Sequence, residues 1–262
     1  MVKIVGIMQV GGNYDWILPK SLKVLSELTD EVVLVGRGHV TELAKKTISE
    51  LDNVAKFESW NGPDTCGSID QLIKWSREAG ADWILYQDAD QIYEPGLKDR
   101  IQDLVTNNTD ENGNTIGLYR FRHIWLWKDE NHYRTEEKFM RPTNEAVLVK
   151  CTKKLAMKNH LGSYPRRIGR MLTKGTGINF WGAGNYVGIE GKEKYLESTV
   201  CLHYATLDWS SFLKKQIGYI VTISRFNPRE AAEIISNRFE IVFNEREGKF
   251  AEVEEEWHWK DF

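Results

Sequence analysis

Two carboxylates, Asp88 and Asp90, stand two residues apart just past an apolar run, Trp83 to Tyr86, in the stretch WILYQDADQIYEP. An apolar strand that surfaces on a pair of acids makes a place for a divalent cation, because ligands in open α/β sheets gather at the carboxyl ends of the strands. Magnesium and manganese prefer carboxylate oxygens. Few protein ligands suffice when a substrate phosphate supplies the remainder. A turn signal, Pro95-Gly96, closes the stretch.

Other chemistries that use paired acids fit the local sequence less well. A calcium loop of the EF-hand type starting at Asp88 needs Gly at its sixth position and Glu at its twelfth, where this chain has Tyr93 and Asp99. A phosphatase of the haloacid dehalogenase class would carry Thr two residues after the second acid, where Ile92 stands. A metal-dependent transferase acting on a nucleotide diphosphate meets no local contradiction.

The elements that must position these acids can be traced along the chain. Lys3 to Val10 reads as a buried strand, Gly11-Gly12 as a turn, and Trp16 to Leu28 as a helix with apolar residues near the 3.6 period. Glu31 to Gly36 is a second strand, Thr41 to Leu51 a helix capped by Thr41, and Ala55 to Trp60 a short third strand. Ser68 to Ala79 is the next helix, with Ser68 as its cap, and it leads into the strand that ends at Asp88. Strands alternating with helices imply parallel pairing through right-handed crossovers, hence an α/β doubly wound sheet over the first hundred or so residues. After a helix from Gly96 to about Asn107 and an exposed turn, the pattern changes. Ile116 to Leu126 and Ala146 to Val149 read as strands appended antiparallel to the sheet, with a charged loop between them, and Thr199 to His203 as another strand. Ser210 to Arg225 and Pro228 to Phe239 read as C-terminal helices, and EVEEEWHWKDF as an acidic tail, solvated or docking.

The whole-chain properties narrow the class of protein. A chain of 262 residues with net charge -3 has room for a large core and no global pull toward nucleic acid or anionic membrane. No apolar run approaches the roughly 20 residues that span a bilayer, and the N-terminus lacks an export pattern, so the expected location is cytoplasmic. Cys66, Cys151 and Cys201 are dispersed, as befits reduced thiols and not a zinc site. Trp125, Trp127, Trp181, Trp209, Trp257 and Trp259 all lie after residue 110, where flat aromatic faces can stack on sugars or bases.

With Asp88-Ala89-Asp90 at the end of a fourth strand, the chain resembles a GT-A glycosyltransferase, closest in style to the family 2 enzymes. The resemblance is carried by Asp30-Glu31-Val32-Val33, by Gly80 to Asp90 with Pro95, and by Cys201-Leu202-His203-Tyr204. Phe121-Arg122-His123 and the EAVLVK segment from Glu145 to Lys150 are similar to elements of some relatives. It implies one GT-A-like domain over 1–262, with a nucleotide-sugar-binding half at 1–110 and an acceptor half with C-terminal helices at 111–262. It also implies sugar transfer from a nucleoside diphosphate donor, UDP by family habit, with Mn2+ or Mg2+ neutralising the leaving diphosphate.

Residue by residue, the resemblance makes Asp88, Asp90 and His203 the metal ligands, with Asp88 also touching the donor. Gln9, Asn13 and Arg37, at the first two strand ends, and Asp70, on the third helix, are candidates for the nucleoside. The chain departs from the family there: Gly11-Gly12-Asn13 and Gly36-Arg37-Gly38 replace the usual acids after the first two strands. Glu145 is the candidate catalytic base, with Glu136, Glu137 and Glu190 competing. Arg166, Arg167, Arg170 and Lys174 would meet a phosphate-bearing acceptor, either a phosphorylated glycan or a hydroxylated base in DNA, whereas a neutral glycan would sit near Trp125 and Trp181. Two alternatives stay open: a sugar-phosphate nucleotidyltransferase on a similar sheet, and a non-catalytic module binding carbohydrate or nucleic acid. Oligomeric state is not assigned.

Overall fold

The computed structural model describes residues 2–11, 14–60, 65–127, 129–135, 146–159, 184–204, 207 and 250–260. Its first half carries four parallel strands: β1 (Ile4–Val10), β2 (Glu31–Arg37), β3 (Val54–Trp60) and β4 (Trp83–Tyr86), side by side in the order β3-β2-β1-β4. β1, β2 and β4 are apolar along their length because both of their faces are covered. β3, at the edge, alternates less strictly and is largely half-exposed.

Helix α1 (Leu18–Leu28) and helix α2 (Glu42–Ser49) pack with Ile4, Met8, Val32 and Leu34 on one face. Helix α3 (Thr65–Glu78) packs Ile69, Leu72 and Ile73 against Val5, Ile7, Val33 and Val35 on the other. Each such side chain, fully buried, stabilises the fold by roughly 1.5–3 kcal/mol before entropy is counted. The chain therefore winds outward from β1 to β3 on one face, then crosses back on the other to lay β4 beside β1. The winding reverses between β1 and β4, the place where open α/β sheets bind ligands at their carboxyl ends.

Local signals set the helix starts. Thr41 caps α2 as expected, its hydroxyl accepting from Ala44 N–H at 3.1 Å. Trp16 precedes α1, which starts at Leu18 with Pro19 in its first turn, where a missing N–H is harmless. Ser68 is not a cap: α3 begins earlier, at Thr65, so Ser68 lies inside the helix with its hydroxyl turned to the sheet.

The second half is mainly antiparallel. It comprises β5 (Gln91–Tyr93), helix α4 (Gly96–Thr106), β6 (Ile116–Trp127), β7 (Asp129–Arg134), β8 (Val147–Lys150), β9 (Ala156–Asn159), β10 (Gly184–Val187), β11 (Lys192–His203) and β12 (Phe250–Glu252). β8 pairs antiparallel with β4 and carries the sheet on through β6, β7 and β12. β11 runs parallel to β6 and antiparallel to the short β5.

One expectation is corrected in this half, and one left open is decided. The charged loop after β6 opens as a strand, β7, whose first three residues, Asp129, Glu130 and Asn131, are exposed while Tyr133 and Arg134 are buried. The acidic tail is docked and not solvated: β12 pairs with β7, Trp257 is buried beside Tyr133, and Trp259 donates its indole N–H to Tyr93 O at 2.7 Å. The expected C-terminal helices and the basic run at 166–174 lie outside the described residues. None of Cys66, Cys151 and Cys201 forms a disulfide, and burial lifts the Cys151 thiol to about 11. Among the described residues no helix is long and apolar enough to cross a membrane.

Candidate functional site

Side-chain alternation along β1 puts Gln9 on the α3 face, and it becomes the hub of a polar row over the carboxyl ends of β1, β2 and β4. Its Oε1 accepts from Arg37 Nη1 at 3.0 Å and from Ser68 Oγ at 3.2 Å, while its Nε2 reaches the Tyr86 hydroxyl at 3.4 Å. Tyr86 in turn donates its hydroxyl to the Asp88 carboxylate. The row thus joins Arg37, Gln9, Ser68, Tyr86 and Asp88, residues from three strand ends and one helix.

Gln9 thus holds the guanidinium of Arg37, which is half-buried at the end of β2. Gly11 lets the strands close here. Its φ is 144°, and a Cβ at that position would stand 2.1 Å from the Arg37 carbonyl oxygen. Ser68 and Tyr86 were not read from the sequence as site residues. Their signal was the strand period, which puts Tyr86 on the same face as Gln9.

The turn between β4 and β5 carries the second acid to a different environment. Asp90 is buried, and its Oδ2 lies 3.3 Å from His203 Nε2 at the end of β11. The Asp90 carbonyl also accepts from Tyr204 N–H at 2.8 Å, tying the turn to the chain after β11. The His203 ring stacks on His123 with centroids 4.8 Å apart, and the edge of Trp125 closes the layer at 4.3 Å from His203. Behind the turn, Gln87 is wholly buried and donates to the carbonyls of Ser21 and Gln91, at 2.7 and 2.8 Å.

The geometry separates the acid pair. Asp88 faces the polar row and Asp90 faces the histidine layer; among the described residues no three His, Cys, Asp or Glu side chains converge as ligands on one point. Asp90 and His203 nevertheless suit a shared ion. Two donors each about 2.1 Å from a cation and at right angles stand roughly 3 Å apart, close to the separation of this pair. An oxygen and an imidazole nitrogen are also a donor set that manganese accepts.

The remaining sequence candidates fall elsewhere. Asp70 accepts the backbone N–H of Met157, fastening α3 to β9, so this oxygen is engaged in the fold. Glu190 is exposed near the start of β11. Asn13, Glu136, Glu137, Glu145, Arg166, Arg167, Arg170, Lys174 and Trp181 lie outside the described residues. One unforeseen group is Tyr186 on β10. It is buried, its hydroxyl has no hydrogen-bond partner among the described residues, and burial followed by the Asp88 charge raises the phenol far above its ordinary range. It keeps its proton, so the hydroxyl remains a hydrogen-bond donor.

Neither a family model nor a curated protein matches the sequence. Among solved structures, residues 1-349 of S. aureus TarS align over 93% of this chain and 73% of that chain, with 10% identity and a TM-score of 0.48. The same protein in complex with UDP-GlcNAc aligns over 93% and 74%, with 12% identity and a TM-score of 0.47. HddC from Yersinia pseudotuberculosis aligns over 81% of this chain and 97% of that chain, with 12% identity and a TM-score of 0.45. Likeness at this level does not speak to substrate or reaction, and the function of this chain rests on its own strand-end side chains.

Proposed function

We propose that this chain is a metal-dependent glycosyltransferase that moves a sugar from a nucleoside diphosphate, UDP in the first instance, to an acceptor hydroxyl. The observation that carries the reading is the turn after β4, which presents Asp88 to a polar row at the switch point of the sheet and Asp90 to His203 at 3.3 Å. An open α/β sheet binds its ligand at this place. A row of hydrogen-bonding groups beside a cation site suits a nucleoside joined to a diphosphate.

In this reading Arg37, held by Gln9, meets the nucleoside end of the donor, and Asp88 with Tyr86 lies toward the ribose or sugar. Asp90 and His203 would hold a divalent ion, which when bound supplies Lewis-acid neutralisation of the leaving diphosphate. The bond from the anomeric carbon to the diphosphate oxygen breaks, and one to the acceptor oxygen forms. The acceptor proton passes to a carboxylate, for which Glu145 remains the candidate. The exclusion of water by the buried rings of His123 and His203, with half-buried Trp125 beside them, strengthens the field at the breaking bond. The acceptor is a glycan or a phosphate-bearing polymer such as DNA with a hydroxylated base. Affinity that falls steeply with salt marks the second case.

Thermal-shift measurement with UDP, GDP, CDP and ADP, each with and without manganese, tests the reading. A ligand that binds only the folded chain raises its melting point by mass action. We expect UDP with manganese to give the largest shift. No shift with any nucleotide would overturn the proposal. Labelled nucleoside triphosphate with sugar phosphate, giving no nucleotide sugar, separates this reading from a nucleotidyltransferase.

A further inference from the structure

Gln91 is wholly buried at the start of β5, yet its amide is spent on no ladder partner. Its Oε1 faces the backbone N–H of Asp88 at 3.2 Å, and its Nε2 faces His123 Nε2 at 3.2 Å. A backbone N–H can only donate, so the amide atom opposite Asp88 must be the oxygen. The amide NH2 then points at the histidine. Because that group can only donate, His123 Nε2 must accept, and the proton of the neutral ring sits on Nδ1. The orientation of a buried side chain and the tautomer of a second one thus follow from one main-chain donor.

We propose that Gln91 is a positioning residue for the cation site, acting through both ends of its amide. One end holds the turn that bears Asp88 and Asp90. The other fixes the plane of His123, the ring on which His203 stacks at 4.8 Å as it meets Asp90. Residues that orient metal ligands in this way commonly change affinity about 10–100-fold when replaced. The inference about the His123 tautomer is independent of the proposed function; its consequence for the cation rests on it.

Three proteins test this: the full-length wild type, Gln91→Leu and Gln91→Glu, with circular dichroism and melting point recorded for each. Long-range nitrogen–proton NMR of the histidine side chains in the metal-free wild type should show His123 with its proton on Nδ1. In Gln91→Glu one carboxylate oxygen can still accept from Asp88, but the other can no longer donate to His123, and the ring should move its proton to Nε2. Manganese affinity, read by paramagnetic resonance without donor or acceptor, should weaken at least tenfold in Gln91→Leu and less in Gln91→Glu, which retains the hold on the turn.

A His123 proton on Nε2 in the wild type, or manganese affinity equal to wild type in a folded Gln91→Leu, would overturn the proposal. Should Gln91→Leu fail to fold, an unchanged His123 tautomer and unchanged affinity in Gln91→Glu would overturn it equally. A wild type that binds no manganese while His123 carries its proton on Nδ1 would remove the metal reading and the cation consequence, and leave Gln91 as the group that sets the tautomer.

Discussion

The two sides of the turn after β4 are assembled in contrasting ways. On the parallel side, Gln9, Arg37 and Asp88 come from the ends of neighbouring strands, each fed by the same βα rhythm, and they meet because parallel strands end together. On the antiparallel side, Asp90 meets His203 across 113 positions of sequence, and Gln91 meets His123 across 32. The polar row is half-open and its members share bonds with one another. The histidine layer is buried, and it holds together by ring stacking and by β11 lying between β5 and β6. The first side is suited to gripping a variable, hydrated ligand, the second to holding charge in a dry setting. One loop serves both because its acids are two residues apart.

This contrast can be broken most severely from the buried side. Asp90→Asn keeps the shape and an acceptor for His203 but removes the charge, and we expect transfer to fall about 100–1000-fold with an unchanged circular dichroism spectrum. Steady-state kinetics with saturating donor and manganese measure it. Equal activity in that variant in the presence of excess chelator would reassign the turn to structure.

Gly11→Ala attacks the junction of β1 and β2. A Cβ would meet the Arg37 carbonyl at 2.1 Å, and together with the positive φ of 144° this should cost about 1–3 kcal/mol in urea-induced unfolding. Donor KM should rise with it, since the shift displaces Arg37. Arg37→Ala is milder. We expect a roughly tenfold higher donor KM with kcat little changed, the pattern of binding lost equally in ground and transition states.

The smallest effect tests the far side of the antiparallel half. Trp259→Phe keeps a six-membered ring but deletes the pyrrole part of the indole with the N–H that reaches Tyr93 O at 2.7 Å, so unfolding free energy should drop by at least about 0.5–1.5 kcal/mol. Donor KM should not move, because the contact supports β5 from the side away from the polar row. A change in KM as large as that of Arg37→Ala would mean that the two sides are not separable.

The sequence was most legible where structure is local. The run WILY followed by two acids, the Thr41 cap and the alternation of strands with helices all announced the parallel half. Ser68 misled, because a Ser near the start of an apolar period reads as a cap, whereas α3 begins three residues earlier and turns Ser68 to Gln9. Glu130 and Asn131 read as loop because exposed edges of antiparallel strands are polar, and the pairing of β7 with β6 and β12 is not encoded within the segment itself. The acidic tail left a solvated and a docking reading open, and its two tryptophans, not its charges, decide between them.

What the sequence alone determined is the parallel sheet of alternating strands and helices and the position of Asp88 and Asp90 past its fourth strand, since periodicity and turn residues act over a few positions. Only the tertiary structure decided that the acids face different ways, that Gln9 organises Arg37 and Ser68, that Asp70 is spent on Met157, and that Gln91 joins the turn to His123. The physical reason is that a side chain's partner across a sheet depends on register and on which strands lie adjacent. Those follow from burying both faces of the sheet at once, and no short window of sequence contains that condition.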